Sequence, residues 1–538
     1  MAKLTEQEQI APDESAAAEP EIEPDERSEQ KPEPDAPPLA KAESEALCPI
    51  CIGFNGLRYG RKLHPAPARV DEQPVCLMHS KDPNKNKQSG QPFKDFWQEF
   101  ERILQEAGEK EAHFERFVFP HTNFSGKRFK AICRFDEATF TRDANFNRMT
   151  FEQDAYLNSA TFTQDADFRE VNFMQNAYFY GAAFTQNARF HHAIFTLGAY
   201  FNSVTFMQNA FFRGASFTQN AFFLETTFMQ DAYFFQTKFH GTADWSDSKF
   251  LDQAEFRHTE FNPKEPGTPS AVFSLARFFK PGVIVFEDVD LSRALFLNCD
   301  VSAIWFISSV QWAKRDGHRG LAVFEEEILL DSELSKKLKG YGKIDHGAVE
   351  QIYHQLQKNY DSRLDYRKAN DFHYGEMEMM RLAGPTDGPI LGLRRWIHRR
   401  LSLSLVALYR YASDYGNSYV KPFLWLFGFI LVLFPALLPL PGIELKNQVA
   451  TQESGAHIET ETYLSVWNVQ KTWGENLSAE VSLVEICEYN SLDAATFQKS
   501  AKYPPAYPQG RILAISESLL TSSLFALFLL AIRRQFRR

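Results

Sequence analysis

The feature that most constrains this chain is a ladder of large apolar residues between Phe140 and Phe261. It runs Phe140, Phe146, Phe151, Leu157, Phe162, Phe168, Phe173, Phe179 and on to Trp245, Phe250, Phe256 and Phe261, with spacings that alternate 6, 5, 6, 5 without a slip. The repeating unit is therefore 11 residues long. Two places before nearly every ladder residue stands a small one, as in Ala166-Asp167-Phe168 and Ala221-Phe222-Phe223. An 11-residue period fits three turns of helix, but at about 100° per residue the small and large positions scatter around the circumference and make no stripe. Extended backbone instead puts the small and large residues on one side and the intervening one on the other. Short extended pieces that turn at each interval build a solenoid, and fixed-period self-similarity is its signature.

These units resemble the pentapeptide repeat family, in which a small residue and a Leu or Phe two places later point inward. The resemblance implies a right-handed quadrilateral β-helix with four pentads to a coil. Here every second pentad carries one extra residue, usually Asn or Asp before the Ala (Asn176, Asn187, Asn209, Asn220, Asp231), so that two units make a coil of 22 residues. Plain five-residue spacing precedes the ladder at Phe114, Phe119, Phe124 and Phe129 and returns at Phe286, Leu291, Phe296, Val301 and Phe306. The expected fold class is mainly β: a pentapeptide-repeat β-helix over 113–311, with a looser insertion at 262–282, followed by C-terminal α-helices and two transmembrane helices.

The net charge of −11 sits almost wholly in residues 1–47, where 14 Asp and Glu face 4 Lys and Arg, so the acidity belongs to a tail and not to a binding face. Residues 1–45 are too polar to offset their ordering entropy and are expected to be disordered; this acidic start lacks the pattern of a signal peptide. Six cysteines are too few for a disulfide scaffold. Four positions near the N-terminus do form a pattern: Cys48-Pro-Ile-Cys51, then Cys76-Leu-Met-His79. Two knuckles of this kind supply four tetrahedral ligands, which predicts a structural zinc site of Cys48, Cys51, Cys76 and His79 in a module at 46–85, with His64 in reserve. No basic stripe accompanies it, which argues against nucleic acid as its partner. Phe93, Phe96, Trp97, Phe100, Ile103 and Leu104 have helical spacing, and a helix within 90–112 would cap the first coil.

After the solenoid, 312–384 reads as a helical linker domain. His373 and Glu376 could share a metal, although a partly exposed amphipathic face is the reading that their spacing favours. A basic amphipathic helix at 390–416, with Arg394, Arg395, Arg399, Arg400 and Arg410, suits an anionic leaflet. Residues 422–441 are apolar and free of charge, and 512–532 hold only Glu517, so each is long enough to span a bilayer. Arginines before the first run and in the tail at 533–538 place both termini in the cytoplasm and the loop at 442–511 outside. Glu517 and Thr521 share one helix face; Glu517 either faces protein and water within the membrane or snorkels at its edge. The Cys/His segment, the stretches Tyr353–Tyr360 and Phe372–Glu378, and this hairpin resemble bacterial membrane-anchored pentapeptide repeat proteins, which implies the inner membrane.

No phosphate-cradling glycine loop, nucleophile elbow or kinase signature is present, and a Phe-filled rod offers no concave polar site. The chain is therefore expected not to be an enzyme but a membrane-anchored scaffold that displays a cytoplasmic β-helix to an unidentified protein, with membrane lipids and further copies of itself as other partners. The alternative is an oligomeric, channel-like protein with the β-helix as sensor, though no Thr-Val-Gly-Tyr-Gly filter occurs. Nucleic-acid mimicry is disfavoured by the mild balance of 13 acidic to 8 basic residues over 140–261. Tyr156, Tyr178, Tyr200 and Phe222 precede ladder residues by one and recur every 22, so they should line one outer face as a binding surface, with Phe211 and Tyr233 opposite. Ring stacking that merely steadies the strands accounts for the same pattern.

Overall fold

The computed structural model describes residues 48–53, 75–82, 94–315, 320–383, 405–437, 443–447, 460–464 and 508–535, all within the unit Leu47–Arg538. The acidic tail, His64, residues 393–404, most of the 442–511 loop and the last residues of the basic tail lie outside them.

Small-x-large segments form extended pairs such as Ala166–Asp167 and Phe162 with Thr161. Ala166 and Phe168 are fully buried while Asp167 between them is half-buried and faces out. Each pair lies parallel to the pair one coil away: Ala166 opposite Ala144 and Ala188, Phe162 opposite Phe140 and Phe184. The result is four parallel sheets of 9, 8, 9 and 7 strands, one for each side of the coil. Equivalent rings stack across coils, Phe168 on Phe190 at 5.0 Å and Phe190 on Phe212 at 5.0 Å. Within a coil they meet edge to face, as Phe201 meets Phe212 at 5.6 Å and 90°. Both arrangements suit the aromatic quadrupole.

The corners differ in kind. After one ladder residue of each unit the chain enters the left-handed region, at Arg148, Ser159, Glu170, Gly181, His192, Ser203, Gly214, Glu225 and Gln236, with φ between 54° and 65°. A turn closes there, Met149 N–H to Phe146 carbonyl at 3.0 Å; glycine is the usual residue at such a position, yet most of these are not glycine. Each left-handed N–H instead donates to the next coil, Glu170 to the His191 carbonyl at 2.8 Å. At the other corner stands the extra residue. Its N–H is met by the Asn or Asp side chain one coil earlier: Asn176 N–H to Asp154 Oδ1 at 2.9 Å, Gly198 N–H to Asn176 Oδ1 at 3.0 Å, Thr242 N–H to Asn220 Oδ1 at 3.0 Å. The choice of Asn or Asp follows from this ladder of side-chain acceptors.

Helix α2 (Lys94–Ala107) covers the first coil with Phe96, Phe100 and Ile103, and Phe100 stacks on Phe114 at 4.4 Å. Gly108, at φ 59°, ends the helix, and Glu111–His113 is already the first strand. The single insertion expected at 262–282 is two detours, because Ala271–Val272 and Arg277–Phe278 between them stay in register with Ala243 and Lys249.

Helices α3 (Phe324–Leu330), α4 (Ser332–Lys337), α5 (His346–Ser362) and α6 (Tyr366–Ala383) close the far end. Asn359 of α5 donates to the Val301 and Ile304 carbonyls at 2.7 and 2.8 Å, and Gln355 accepts from Val301 N–H at 2.9 Å. Buried Arg315 pairs with Glu326 at 2.7 Å and donates to the Tyr353 hydroxyl at 3.0 Å. Beyond a short helix, Leu405–Ser413, the apolar helix Val420–Gly428 passes into a π-helical turn, Phe429–Leu433, and a final turn, Phe434–Leu437. Pro435 has no N–H to give, which accounts for the irregular turn before it. Among the described residues one helix is long and apolar enough to cross a membrane, Arg511–Arg534 within Pro508–Gln535. Val420–Leu433 is apolar but shorter than the span expected at 422–441, and it packs Phe423 against Phe528 at 5.9 Å.

Two substitutions separate the forces at work. Phe201→Ala, which empties a site stacked on Phe179 and Phe223, should cost about 3–5 kcal/mol. Gln236→Gly, which relieves a left-handed φ of 55°, should stabilise by about 0.5–1 kcal/mol. Urea denaturation checks both magnitude and opposite sign.

Candidate metal centre

Cys48 precedes the five-residue helix α1 (Pro49–Gly53), and Cys51 lies within it. Cys76 opens a tight turn in which His79 N–H and Ser80 N–H both donate to the Cys76 carbonyl, at 3.1 and 3.0 Å. Val118 N–H, on the first coil, donates to the Met78 carbonyl at 2.8 Å and fixes this turn against the solenoid. His79 packs edge-on to Phe117 at 5.4 Å, and its Nε2 donates to the Glu115 carbonyl at 3.2 Å. That second bond settles which ring nitrogen faces inward, leaving Nδ1 as the ligand atom.

All four residues are buried and their ligand atoms lie within 4.8 Å of one another. Cys51 Sγ is 3.8 Å from Cys76 Sγ, and His79 Nδ1 is 3.6, 3.6 and 3.2 Å from the sulfurs of Cys48, Cys51 and Cys76. A tetrahedral ion with metal–sulfur bonds of about 2.3 Å needs sulfur–sulfur edges of about 3.8 Å. The spacing therefore fits a metal ion held by three thiolates and one imidazole. With no cation, three such thiols cannot all ionise. Hydrogen bonds from Cys51 and Cys76 push the Cys48 thiol down. Hydrogen bonds to Cys48 and Cys51, together with burial, push Cys76 up. Burial disfavours charge on His79, but hydrogen bonding to Cys48 and Cys51 outweighs it and pushes its pKa up to about 9. A cation replaces the protons that this cluster otherwise shares. Four protein ligands would leave a bound ion no open position, the arrangement that structural sites have. Cys133 and Cys299 are separate, buried in the stack, where burial pushes their thiols well up.

The other sequence-derived positions are placed as follows. Tyr156, Tyr178, Tyr200 and Phe222 stack along one side at 4.6, 4.8 and 5.3 Å, half-buried; Phe211 and Tyr233 stack on the opposite side at 5.2 Å. The Arg134 guanidinium lies 4.4 Å over Tyr156 and closes one end of this strip. Tyr180, not expected from the pattern, leans against Tyr178 and Tyr200 at 6.2 and 5.7 Å and widens it. Burial, then the charge of Asp154, pushes Tyr178 up to about 12. At Gly198 the Tyr200 ring lies in the space that a Cβ would take, 2.7 Å away. His373 and Glu376 do not form a metal site: Glu376 bridges His354 at 2.9 Å and His373 at 3.5 Å, tying α5 to α6. Glu517 is fully buried, and Thr521 is nearly so and returns its hydroxyl to the Glu517 carbonyl at 2.8 Å.

Residues 146–194 match the family described as pentapeptide repeats (9 copies). No curated protein and no solved structure matches the chain.

Metal analysis of the purified chain should find one ion per molecule, lost on Cys51→Ser. Because loading displaces protons from the thiols and from His79, whose metal-free pKa is pushed up to about 9, apparent affinity should fall as pH is lowered, and chelator competition at pH 6 and 8 reads that slope.

Proposed function

We propose that this pentapeptide repeat protein is a membrane-anchored interaction scaffold, with the β-helix displayed in the cytoplasm, zinc as the structural ion of the Cys48–Cys51–Cys76–His79 centre, and the Tyr156–Phe222 strip as the surface that a protein partner recognises. The observation that carries this reading is the strip itself, a run of neutral aromatic rings on the outside of a stack whose interior is solid with Phe. An interior of rings at 0% exposure leaves no room for a substrate, and work must therefore be done on the outer faces. Rigid, amphipathic Tyr side chains lose little entropy on contact, which favours them in recognition surfaces. Zinc suits three thiolates and an imidazole better than harder cations do.

Anchoring draws on the helix Arg511–Arg534 and on the shorter apolar helix packed beside it. Basic residues at the solenoid-side ends of these helices orient the solenoid to the cytoplasm, with both termini inside and the inner membrane of a bacterium as location. A second reading, the channel-like oligomer, takes its support from Glu517: a carboxylate fully buried within an apolar helix belongs to a helix contact or a wet vestibule.

Tyr178→Ser with Tyr200→Ser should leave circular dichroism intact and reduce partner capture in a cross-linked pull-down from membranes at least ~10-fold, the scale of one hot spot; undiminished capture reduces the strip to strand-stacking. Reporter fusions should place residues 1 and 538 inside and residue 475 outside, and a cytoplasmic signal at 475 would mean that the hairpin does not cross.

A further inference from the structure

A cleft of about 1340 Å³ opens where the helical cap of the solenoid meets the apolar helices. Its walls come from the strand at Lys314, the turn between α5 and α6, α6 itself, the turn Asp414–Tyr419 that leads into the helix starting at Val420, and Arg534 in the last turn of Pro508–Gln535. The two apolar helices thus reach the cleft at their solenoid-side ends, which on the membrane-anchored reading is the level of lipid headgroups.

The cleft carries an excess of uncommitted positive charge. Its charged lining residues are Lys314, Arg315, Arg367 and Arg534 against Asp365, Asp371 and Asp414. Two of the carboxylates are already engaged by lysines outside the lining, Asp365 by Lys368 at 3.6 Å and Asp414 by Lys421 at 3.0 Å. Arg315 spends its charge on Glu326 at 2.7 Å, although its buried Nη1 has no hydrogen-bond partner. Arg534 gives Nη1 to the Tyr415 carbonyl at 2.8 Å and has no carboxylate partner among the described residues. Lys314 and Arg367 are exposed and make no ion pair among the described residues. Three cations then face a single carboxylate outside an ion pair, Asp371, which already feels the charges of Arg367 and Arg315, so positive charge remains in excess; Asn370, Asn417 and Ser418 add neutral polar groups. Forked guanidinium donors beside an ammonium, with amides and a hydroxyl around them, match a phosphate group.

We infer that this cleft binds a phosphate-bearing anion, supplied by the headgroup of an anionic phospholipid in the adjoining leaflet. The site would set the height and tilt of the solenoid against the membrane, because the headgroup would bridge Lys314 in the hairpin just past the last coil, Arg367 on α6 and Arg534 on the terminal helix. The inference rests on the anchoring reading above, and its test separates the two. The full chain, reconstituted into nanodiscs of phosphatidylcholine with one part in five phosphatidylglycerol, is released into the gas phase and its retained lipids are counted by native mass spectrometry. The expected result is retention of phosphatidylglycerol over phosphatidylcholine by roughly 30- to 150-fold, the scale set by two or three basic groups at about 1 kcal/mol each. Lys314→Gln with Arg367→Gln should abolish that preference. Lys337→Gln with Lys339→Gln, which removes the same charge from exposed positions outside the lining, should keep it. Insertion without lipid preference, or equal preference in all three proteins, overturns the site while leaving the anchor intact; loss in both variants reduces it to bulk charge and overturns it too. A chain that stays out of the discs overturns the anchor and the lipid source together. Calorimetric titration of that chain with inorganic phosphate then reads the cleft alone: heat lost in the cleft variant assigns it to a soluble phosphate, and no heat ends the proposal.

Discussion

Ring-on-ring stacking in register with parallel backbone pairing is the interaction on which the whole structure depends. Each inward Phe must lie over its equivalent one coil away, and the measured separations, such as 4.7 Å for Phe140 on Phe162 and 4.9 Å for Phe234 on Phe256, are the natural spacing of adjacent strands. Backbone and side chain therefore ask for the same rise per coil. A ring stack worth about 0.5–1.5 kcal/mol per pair beyond its buried area offsets the left-handed corners, which cost about 1–2 kcal/mol each for a residue with a Cβ. Glycine at Gly181 is thus a convenience and not a requirement, whereas at Gly214 a Cβ would meet the His192 ring at 2.5 Å.

A one-dimensional stack satisfies every coil except the first and last, and the Cys/His segment, α2 and the helices α3 to α6 serve those ends. At the start, α2 lays Phe100 on Phe114 and Phe124, and the Cys/His centre is joined to the first coil through Met78, His79 and Phe117. At the finish, open carbonyls and N–H groups of the last coil meet Asn359 and Gln355, one turn apart on α5, while Glu325 accepts from Phe296 N–H. Burial pushes the Glu325 carboxyl up to about 7. A folded pKa above the unfolded value means that its contribution is complete in acid and is lost as pH rises toward and through 7. The far cap is accordingly the end that weakens as pH rises from the ordinary carboxylate range to about 7.

The far cap is also the link to the apolar helices. Glu378 on α6, nearly buried, gathers Arg381 at 2.8 Å, Arg410 at 3.2 Å and the Tyr415 hydroxyl at 2.9 Å. Tyr415 in turn holds Arg534 by its carbonyl. One residue thus connects the helix that closes the solenoid with the end of the terminal helix, by charge-assisted bonds on both sides. The helix that closes the solenoid and the terminal helix are thereby coupled through a polar joint.

The sequence by itself determined the solenoid, its 22-residue coil, the four ligand residues and the column of Tyr156, Tyr178, Tyr200 and Phe222, because each is a matter of period or spacing, and period survives without coordinates. It also offered Tyr353–Tyr360 as a recognisable stretch, without showing that Gln355 and Asn359 within it close the last coil. Tertiary structure alone decided what depends on contacts between distant segments. Nδ1 of His79 is the ligand atom because the Glu115 carbonyl takes the other nitrogen. His373 and Glu376 became a helix tie because His354, from α5, reached them. Tyr180 joined the aromatic strip by leaning across a corner that no pattern encodes. The insertion split in two because Ala271 and Arg277 keep the register of sheets built 28 residues earlier, and the apolar run before Pro435 lost its regular turn. A linear pattern records which residues can share a face; which faces meet is settled only when the chain has folded.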